Sequence, residues 1–234
     1  MSSVIVTGGA GFIGSHTCVE LLAEGYDVVV LDDLRNARTE SLRRIERIAG
    51  RPVEFHRVDL CDEPALRRVI ESCARRDLAG VIHFAGLKAV GDSVARPLEY
   101  FSVNLGSTLN LLQCLDRIGC RNLVFSSSST VYDADHAPPF REDAPLKAAN
   151  PYGQTKVSIE DILRSTAAAD PRWRFLLLRY FNPAGAHASG LLGEDPAGVP
   201  GNLIPFIHLV DLARGHLADA VRFQRQNPLG YPAD

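Results

Sequence analysis

The sequence predicts a doubly wound α/β fold, one parallel sheet with helices on both faces. Three observations carry that reading. Short strand-like runs and helix-length segments alternate from residue 4 to residue 180. The strands are continuous apolar runs, so both of their faces are buried, as in a sheet covered by crossover helices. A glycine cluster also lies between the first strand and the first helix, at the sheet edge where such folds bind ligands.

Each element follows from local signals. Val4-Ile5-Val6 is the first strand, and residues 16–24 form a helix stopped by Gly25. Val28-Val29-Val30-Leu31 is the second strand. Residues 39–49 make a charged helix with Thr39 as its expected cap and Gly50 as its end. Residues 53–60 read as the third strand. Asp62 caps a helix to about residue 76, with Pro64 in its first turn. Val81-Ile82-His83-Phe84 is the fourth strand and ends at Ala85-Gly86. A long helix, 97–118, stops at Gly119. Residues 123–128, 152–169 and 175–180 give a strand, a helix and a sixth strand. The stretches 133–150 and 183–200 are rich in polar residues, Pro or Gly and read as loops, a length usually reserved for function. Residues 203–226 read as a helix, followed by a short tail.

Composition narrows the function classes. With 46% hydrophobic and 23% charged residues over 234 positions, the chain can build a globular core and is neither disordered nor a coiled coil. A net charge of -3 leaves no basic surplus for nucleic acid or an anionic membrane surface. No apolar run approaches the roughly 18 residues of a membrane span. The five cysteines, Cys18, Cys61, Cys73, Cys114 and Cys120, contain no Cys-x-x-Cys pair. That odd set argues against a disulfide framework or a metal site and for reduced thiols. No signal-peptide pattern opens the chain, so the expected location is cytoplasmic.

Gly8-Gly9-Ala10-Gly11-Phe12-Ile13-Gly14 fits Gly-x-x-Gly-x-x-Gly and, from Gly9, Gly-x-Gly-x-x-Gly. Glycines there permit a tight turn, close approach of a pyrophosphate and close packing of helix on strand. The helix start then offers its N–H groups to the phosphates. Asp32 ends the second strand, 18 residues past Gly14. A carboxylate at that place accepts from the adenosine ribose hydroxyls and repels a 2′-phosphate. A Rossmann-type dinucleotide site is therefore expected, with NAD favoured over NADP. Arg35 is the residue nearby that could instead accommodate a phosphate. Asp59, after the third strand, either caps the turn before the next helix or reaches the adenine.

Tyr152-Gly153-Gln154-Thr155-Lys156 places a phenol and an ammonium on one helix face. A phenol with a pKa of about 10 needs help to act as a base at neutral pH, and a nearby cation favours its ionised form. Four serines, Ser126 to Ser129, close the fifth strand at the ligand-binding edge. A hydroxyl there can donate to a substrate oxygen, or simply cap the strand exit.

Together these motifs resemble the extended short-chain dehydrogenase/reductases. Residues 6–17, 83–91, 126–132 and 178–183, with Gly193-Glu194-Asp195-Pro196, are similar more narrowly to the UDP-glucose 4-epimerase family. The resemblance implies that Tyr152 takes the proton of the sugar 4-hydroxyl. Lys156 lowers the Tyr152 pKa and holds the nicotinamide ribose, and Ser128 binds the 4-oxygen. NAD takes hydride from the sugar and returns it to the other face of a 4-keto sugar. The cofactor would be lined by Gly8, Gly11, Phe12, Ile13, Gly14, Asp32, Asp33, Asn36, Asp59, Leu60, Phe84, Ala85, Gly86, Lys88, Asn104, Tyr152, Lys156 and Phe181. Ser128, Asn182, Asn202 and Leu203 would touch the UDP-sugar. The family's dimer pairs the helices matching 97–118 and 152–169, which implies a homodimer. Nucleotide-sugar dehydratases carry an acid pair just after the serine or threonine, and here Ser129 and Thr130 follow instead.

The match is incomplete. Family members are longer by roughly one hundred residues, a domain's worth. The chain reads as two internal deletions, after Phe206 and after about Val221, that remove diphosphate-clamping arginines and much of the uridine pocket. The resemblance thus divides it into an NAD-binding domain, residues 1–182, and a reduced substrate lobe with its tail, 183–234. Arg214, Arg222 and Arg225 are the remaining phosphate candidates, and a solvated helix face suits them better. Asp133 stands where the family has glycine. Three readings follow: an epimerase with impaired activity, a non-catalytic NAD-binding remnant or regulatory paralogue, and an enzyme for a smaller substrate.

Overall fold

The computed structural model describes residues 1–194. Its order is β1 (Ser3–Thr7), α1 (Phe12–Ala23), β2 (Asp27–Asp32), α2 (Thr39–Ala49), β3 (Glu54–Arg57), α3 (Glu63–Cys73) and β4 (Leu78–His83). Then come α4 (Val90–Ala95), α5 (Pro97–Ile118), β5 (Asn122–Ser128), a 3-10 turn at Ser129–Val131, α6 (Pro151–Ala169) and β6 (Arg174–Tyr180). The six strands form one sheet in the order β3-β2-β1-β4-β5-β6, and every neighbouring pair is parallel. Successive strands step outward on one side of β1 and then on the other. The reversal lies between β1 and β4, and it opens a crevice beyond their carboxyl ends.

Apolar strands are covered on both sides, as the sequence predicts. Ile5, Val29, Leu31 and Phe125 face a layer containing Leu66, Ile70, Leu111, Leu115 and Leu163 from α3, α5 and α6. The alternate residues Val4, Val6, Val28, Val30 and Ile82 face Val19, Leu21, Leu22, Leu42 and Ile45 from α1 and α2. Burying each such side chain contributes about 1.5–3 kcal/mol before the entropy of ordering it.

Most predicted boundaries hold, and the differences have local causes. Asp62 accepts from the Ala65 N–H at the start of α3. Gly50 ends α2 at φ 64°, a left-handed turn that suits glycine. Thr39 is not the cap of α2. Arg38 occupies that position and caps it with no side-chain hydrogen bond to the helix, and Thr39 is already helical. The first helix starts four residues early, at Phe12, because it takes in the end of the glycine motif. β3 stops at Arg57, and the chain bends so that the Asp59 carboxylate accepts from the Cys61 N–H. β4 starts earlier than expected, at Leu78, and runs through Gly80, whose missing side chain admits Asn122. The short helix α4 was not predicted. The helix expected at 203–226 lies outside the described residues.

Candidate active site

The turn after β1 is built by close backbone approach. Gly8 sits at φ +68°, and a Cβ on it would lie 2.8 Å from the Ala85 nitrogen, so the exits of β1 and β4 touch. Gly14, in the first turn of α1, packs its bare Cα on the Gly8 carbonyl, and any side chain there would push α1 off the turn. Gly11 begins α1 with no side-chain cap, which leaves the first-turn N–H groups for a ligand.

Asp32 is buried at the end of β2. Its oxygens accept one N–H each, from Ala10 at 3.1 Å and Leu34 at 2.8 Å. Burial pushes its pKa up while those two bonds pull it down. A carboxylate offers about four acceptor positions, so two remain for ribose hydroxyls. Arg35 faces carboxylates, Asp33 at 3.6 Å and Glu99 at 3.9 Å, and this pairing favours a cofactor without a 2′-phosphate. An uncapped helix start, a glycine cradle and a buried acid with open acceptors fit NAD. When bound, NAD supplies a reversible hydride acceptor.

The other residues expected at the cofactor surround the same edge. Asp33 and Asn36 follow β2, Asp59 and buried Leu60 follow β3, and Phe84, Ala85, Gly86 and Lys88 follow β4. Lys88 faces Glu194 at 3.5 Å. Asn104 is buried behind this strip. It accepts from the Leu87 N–H at 2.8 Å and donates to the Leu87 carbonyl and to Thr155, tying the strip to α5 and α6. His83 reinforces it from below. Its Nε2 meets Thr108 Oγ1 at 3.0 Å and its Nδ1 meets Thr7 Oγ1 at 2.7 Å. Thr108 donates onward to the Asn104 carbonyl, so it accepts from His83, and Thr7 donates to the other nitrogen. Burial and then Lys156 push the His83 pKa down to about 3, so the ring is a neutral strut.

Tyr152 and Lys156 lie on α6, whose start is fixed by Asn150 capping the Gly153 N–H at 2.9 Å. A Cβ on Gly153 would stand 2.6 Å from the Thr130 carbonyl, so glycine lets α6 press against the 3-10 turn after β5. That contact brings Tyr152 near Ser128, whose hydroxyl favours the ionised phenol. Lys156 is buried. Its ammonium donates to the Ser126 carbonyl at 2.8 Å and lies 4.7 Å from the Phe125 ring centroid and 5.7 Å from that of Tyr152. Burial lowers its pKa to about 8, opposed by Glu160.

One expectation is corrected here. Burial, followed by Ser128 and Tyr100, sets the Tyr152 pKa, and the net direction in the chain alone is upward. Lys156 does not bring it down, because its ammonium is turned onto Ser126 and Phe125. Ionising the phenol therefore needs a further positive charge at the site.

Sequence reasoning missed the support behind this edge. Glu160 is fully buried and accepts from Ser127 Oγ at 2.5 Å, from Arg164, and from Arg179 through Nε at 3.0 Å and Nη2 at 2.8 Å. Burial opposes its charge, yet these bonds hold its pKa below the usual range. Its spacing four residues after Lys156 was the only available signal. Phe181 and Asn182 follow β6 and are exposed, with Phe181 6.2 Å from the Phe140 ring. Asp133 closes a turn by accepting from the Asp135 N–H at 3.0 Å. Asn202, Leu203, Arg214, Arg222 and Arg225 lie outside the described residues.

This architecture and edge define a nucleotide-cofactor enzyme of the short-chain dehydrogenase/reductase type. The profile of the NAD dependent epimerase/dehydratase family matches residues 4–225, and the chain belongs to that family. Within it, relatives at 44–51% identity include UDP-glucose 4-epimerases. That of Dictyostelium discoideum is 46% identical over 245 residues, spanning 92% of this chain and 70% of the relative. That of Schizosaccharomyces pombe is 51% identical, spanning 91% of this chain and 60% of the relative. The alignment to the Mus musculus enzyme runs over 263 residues, more than this chain has, so the relative carries residues that this chain lacks. The crystal structure of the Bifidobacterium longum UDP-glucose 4-epimerase in complex with NAD+ and UDP superposes with a TM-score of 0.87 at 45% identity, covering 93% of this chain and 73% of that one. The Stenotrophomonas maltophila enzyme, with bound NAD and formylated UDP-arabinopyranose, gives 0.89 at 37% identity, covering 97% and 75%.

Proposed function

We propose that the chain is an NAD-dependent isomerase that interconverts UDP-galactose and UDP-glucose, a step of galactose metabolism, through a 4-keto sugar. The observation that carries this reading is the convergence of Ser128, Tyr152 and Lys156 at the sheet edge beside the glycine turn. Gly8, Gly11, Phe12, Ile13, Gly14, Asp32, Asp33 and the 84–88 strip hold the cofactor, and Lys156 holds its ribose. Tyr152 takes the 4-hydroxyl proton and later returns it, while Ser128 donates to the 4-oxygen. NAD, if bound there, would supply a positive ring beside the phenol, whose pKa burial raises in the chain alone. Ser128, Asn182, Asn202 and Leu203 contact the UDP-sugar.

Residues 183–234 form the reduced substrate lobe of this reading. Residues present in the relatives and missing here weaken UDP-sugar binding more than NAD binding. Two copies pair through α5 and α6, with exposed Leu98 and Leu109 of α5 at the contact. All five cysteines are free thiols, and no helix among the described residues is long and apolar enough to cross a membrane. Reduced thiols suit a cytoplasmic location.

The test is the rate at which UDP-glucose forms from UDP-galactose by the chain and by Tyr152→Phe. Loss of the general base lowers the rate by about 10²–10⁴-fold in a variant that still folds. An unchanged rate in the variant would remove Tyr152 from the chemistry. The remnant reading is favoured by the missing residues alone, and equal, negligible rates in both proteins would select it.

A further inference from the structure

Ser128 stands on β5, whereas Tyr152 and Lys156 stand on α6. The geometry they share depends on how α6 is held against the end of β5. One turn of α6 holds two successive residues of that strand. Lys156 donates to the Ser126 carbonyl at 2.8 Å, and Glu160, four residues on, accepts from Ser127 Oγ at 2.5 Å. The direction of the second bond is fixed, because an ionised carboxylate has no proton and only accepts. Its length is that of a charge-assisted bond. The carboxylate stays ionised although it is fully buried, because Arg179 meets both of its oxygens, at 3.0 Å and 2.8 Å, and Arg164 meets one. Arg179 is itself fixed. It lies in register with Ser127 on the neighbouring strand, and its Nη1 donates to the Glu142 carbonyl at 2.9 Å.

We propose that Glu160 is a positioning residue, which by gripping Ser127 sets the register of α6 on β5 and so places Tyr152 and Lys156 opposite Ser128. Gly153 fixes the first turn of α6 against the Thr130 carbonyl, and Glu160 fixes the same helix two turns further on. Tyr152 adjoins the first of these points, and Lys156 lies between them. In the proposed reaction Lys156 also serves the cofactor ribose, whereas the buried Glu160 holds Ser127 whether or not the cofactor is bound. The inference rests on the proposed roles of Ser128, Tyr152 and Lys156. A misplacement of about 1 Å between such groups lowers a rate by about 10²-fold.

Ser127→Ala removes the grip and leaves Glu160 paired with both arginines, so the buried charge keeps its partners. Arg164→Ala does the reverse, taking a cation from the same carboxylate and leaving the hold on β5. The test measures UDP-galactose turnover and backbone amide exchange on both variants and the parent. Ser127→Ala is expected to lower kcat by about ten- to a hundredfold with KM unchanged. It is also expected to lose exchange protection at 126–131 and 152–160 while the strands β1 and β2 stay protected. Ser127→Thr, which restores the hydroxyl, is expected to recover most of kcat. Arg164→Ala is expected to turn over like the parent at a cost in stability only. A parental kcat in Ser127→Ala overturns the proposal, as does an equal loss of kcat in Arg164→Ala. A parent that makes no UDP-glucose overturns the proposed reaction instead. The exchange comparison then decides the grip alone, which local loss of protection supports and unchanged protection refutes.

Discussion

Lys156 sets the pH behaviour of the site. An unfolded lysine titrates at about 10.4, and burial lowers this one to about 8. Below pH 8 both states carry the proton, and the folded state bears the full cost of a buried charge. Between the two values the folded state releases its proton first, so the unfolded state binds more protons and stability rises with pH. Unfolding measured from pH 7 to 9.5 for the chain and Lys156→Met should therefore show their difference moving in favour of the parent as pH rises. A pH-independent difference would place the ammonium in solvent. In the proposed reaction the sign is opposite, because the Lys156 charge that would hold the ribose fades above about pH 8. Tyr152 and Lys156 were legible in the sequence because their spacing puts them on one helix face. The direction of the tyrosine shift was not, since it depends on where the ammonium points, and Ser126 and Phe125 decide that.

At the scale of elements, the Ser127–Glu160–Arg179 cluster couples three pieces of the site. β5 contributes Ser127 beside Ser128, α6 contributes Glu160 one turn past Lys156, and β6 contributes Arg179 two residues before Phe181. Glu160→Ala leaves the arginine without its counter-charge in a buried place, which costs about 3–5 kcal/mol. Chemical denaturation reads that loss directly, and a change under about 1 kcal/mol would mean that the carboxylate is solvated. Sequence patterns reveal elements whose signals are local. Continuous apolar runs gave the strands, and glycines marked the ends of α1, α2 and α5. They do not reveal partners brought together by the sheet, such as Glu160 with Arg179, or His83 with Thr7 and Thr108. The cap of α2 was misread. Thr39 has the right chemistry, but the helix starts one residue earlier than that reading requires, with Arg38 at the cap position.

For the whole molecule, the strand order places both halves of the chemistry at one edge. The reversal between β1 and β4 sets the glycine turn beside the 84–88 strip, and β5 and α6 bring Ser128, Tyr152 and Lys156 to the neighbouring strand end. The cofactor side was legible because its motif is contiguous in sequence. The substrate side was not, because its residues are scattered and part of the relatives' length has no counterpart in this chain. The central claim is that hydride leaves and returns at one carbon through a resident cofactor. Proton NMR of the purified chain mixed with UDP-galactose in D2O, with no NAD added, tests it most directly. The account predicts UDP-glucose whose C4 position keeps its original protium. A folded sample that makes no UDP-glucose, or makes it with deuterium at C4, would contradict the account.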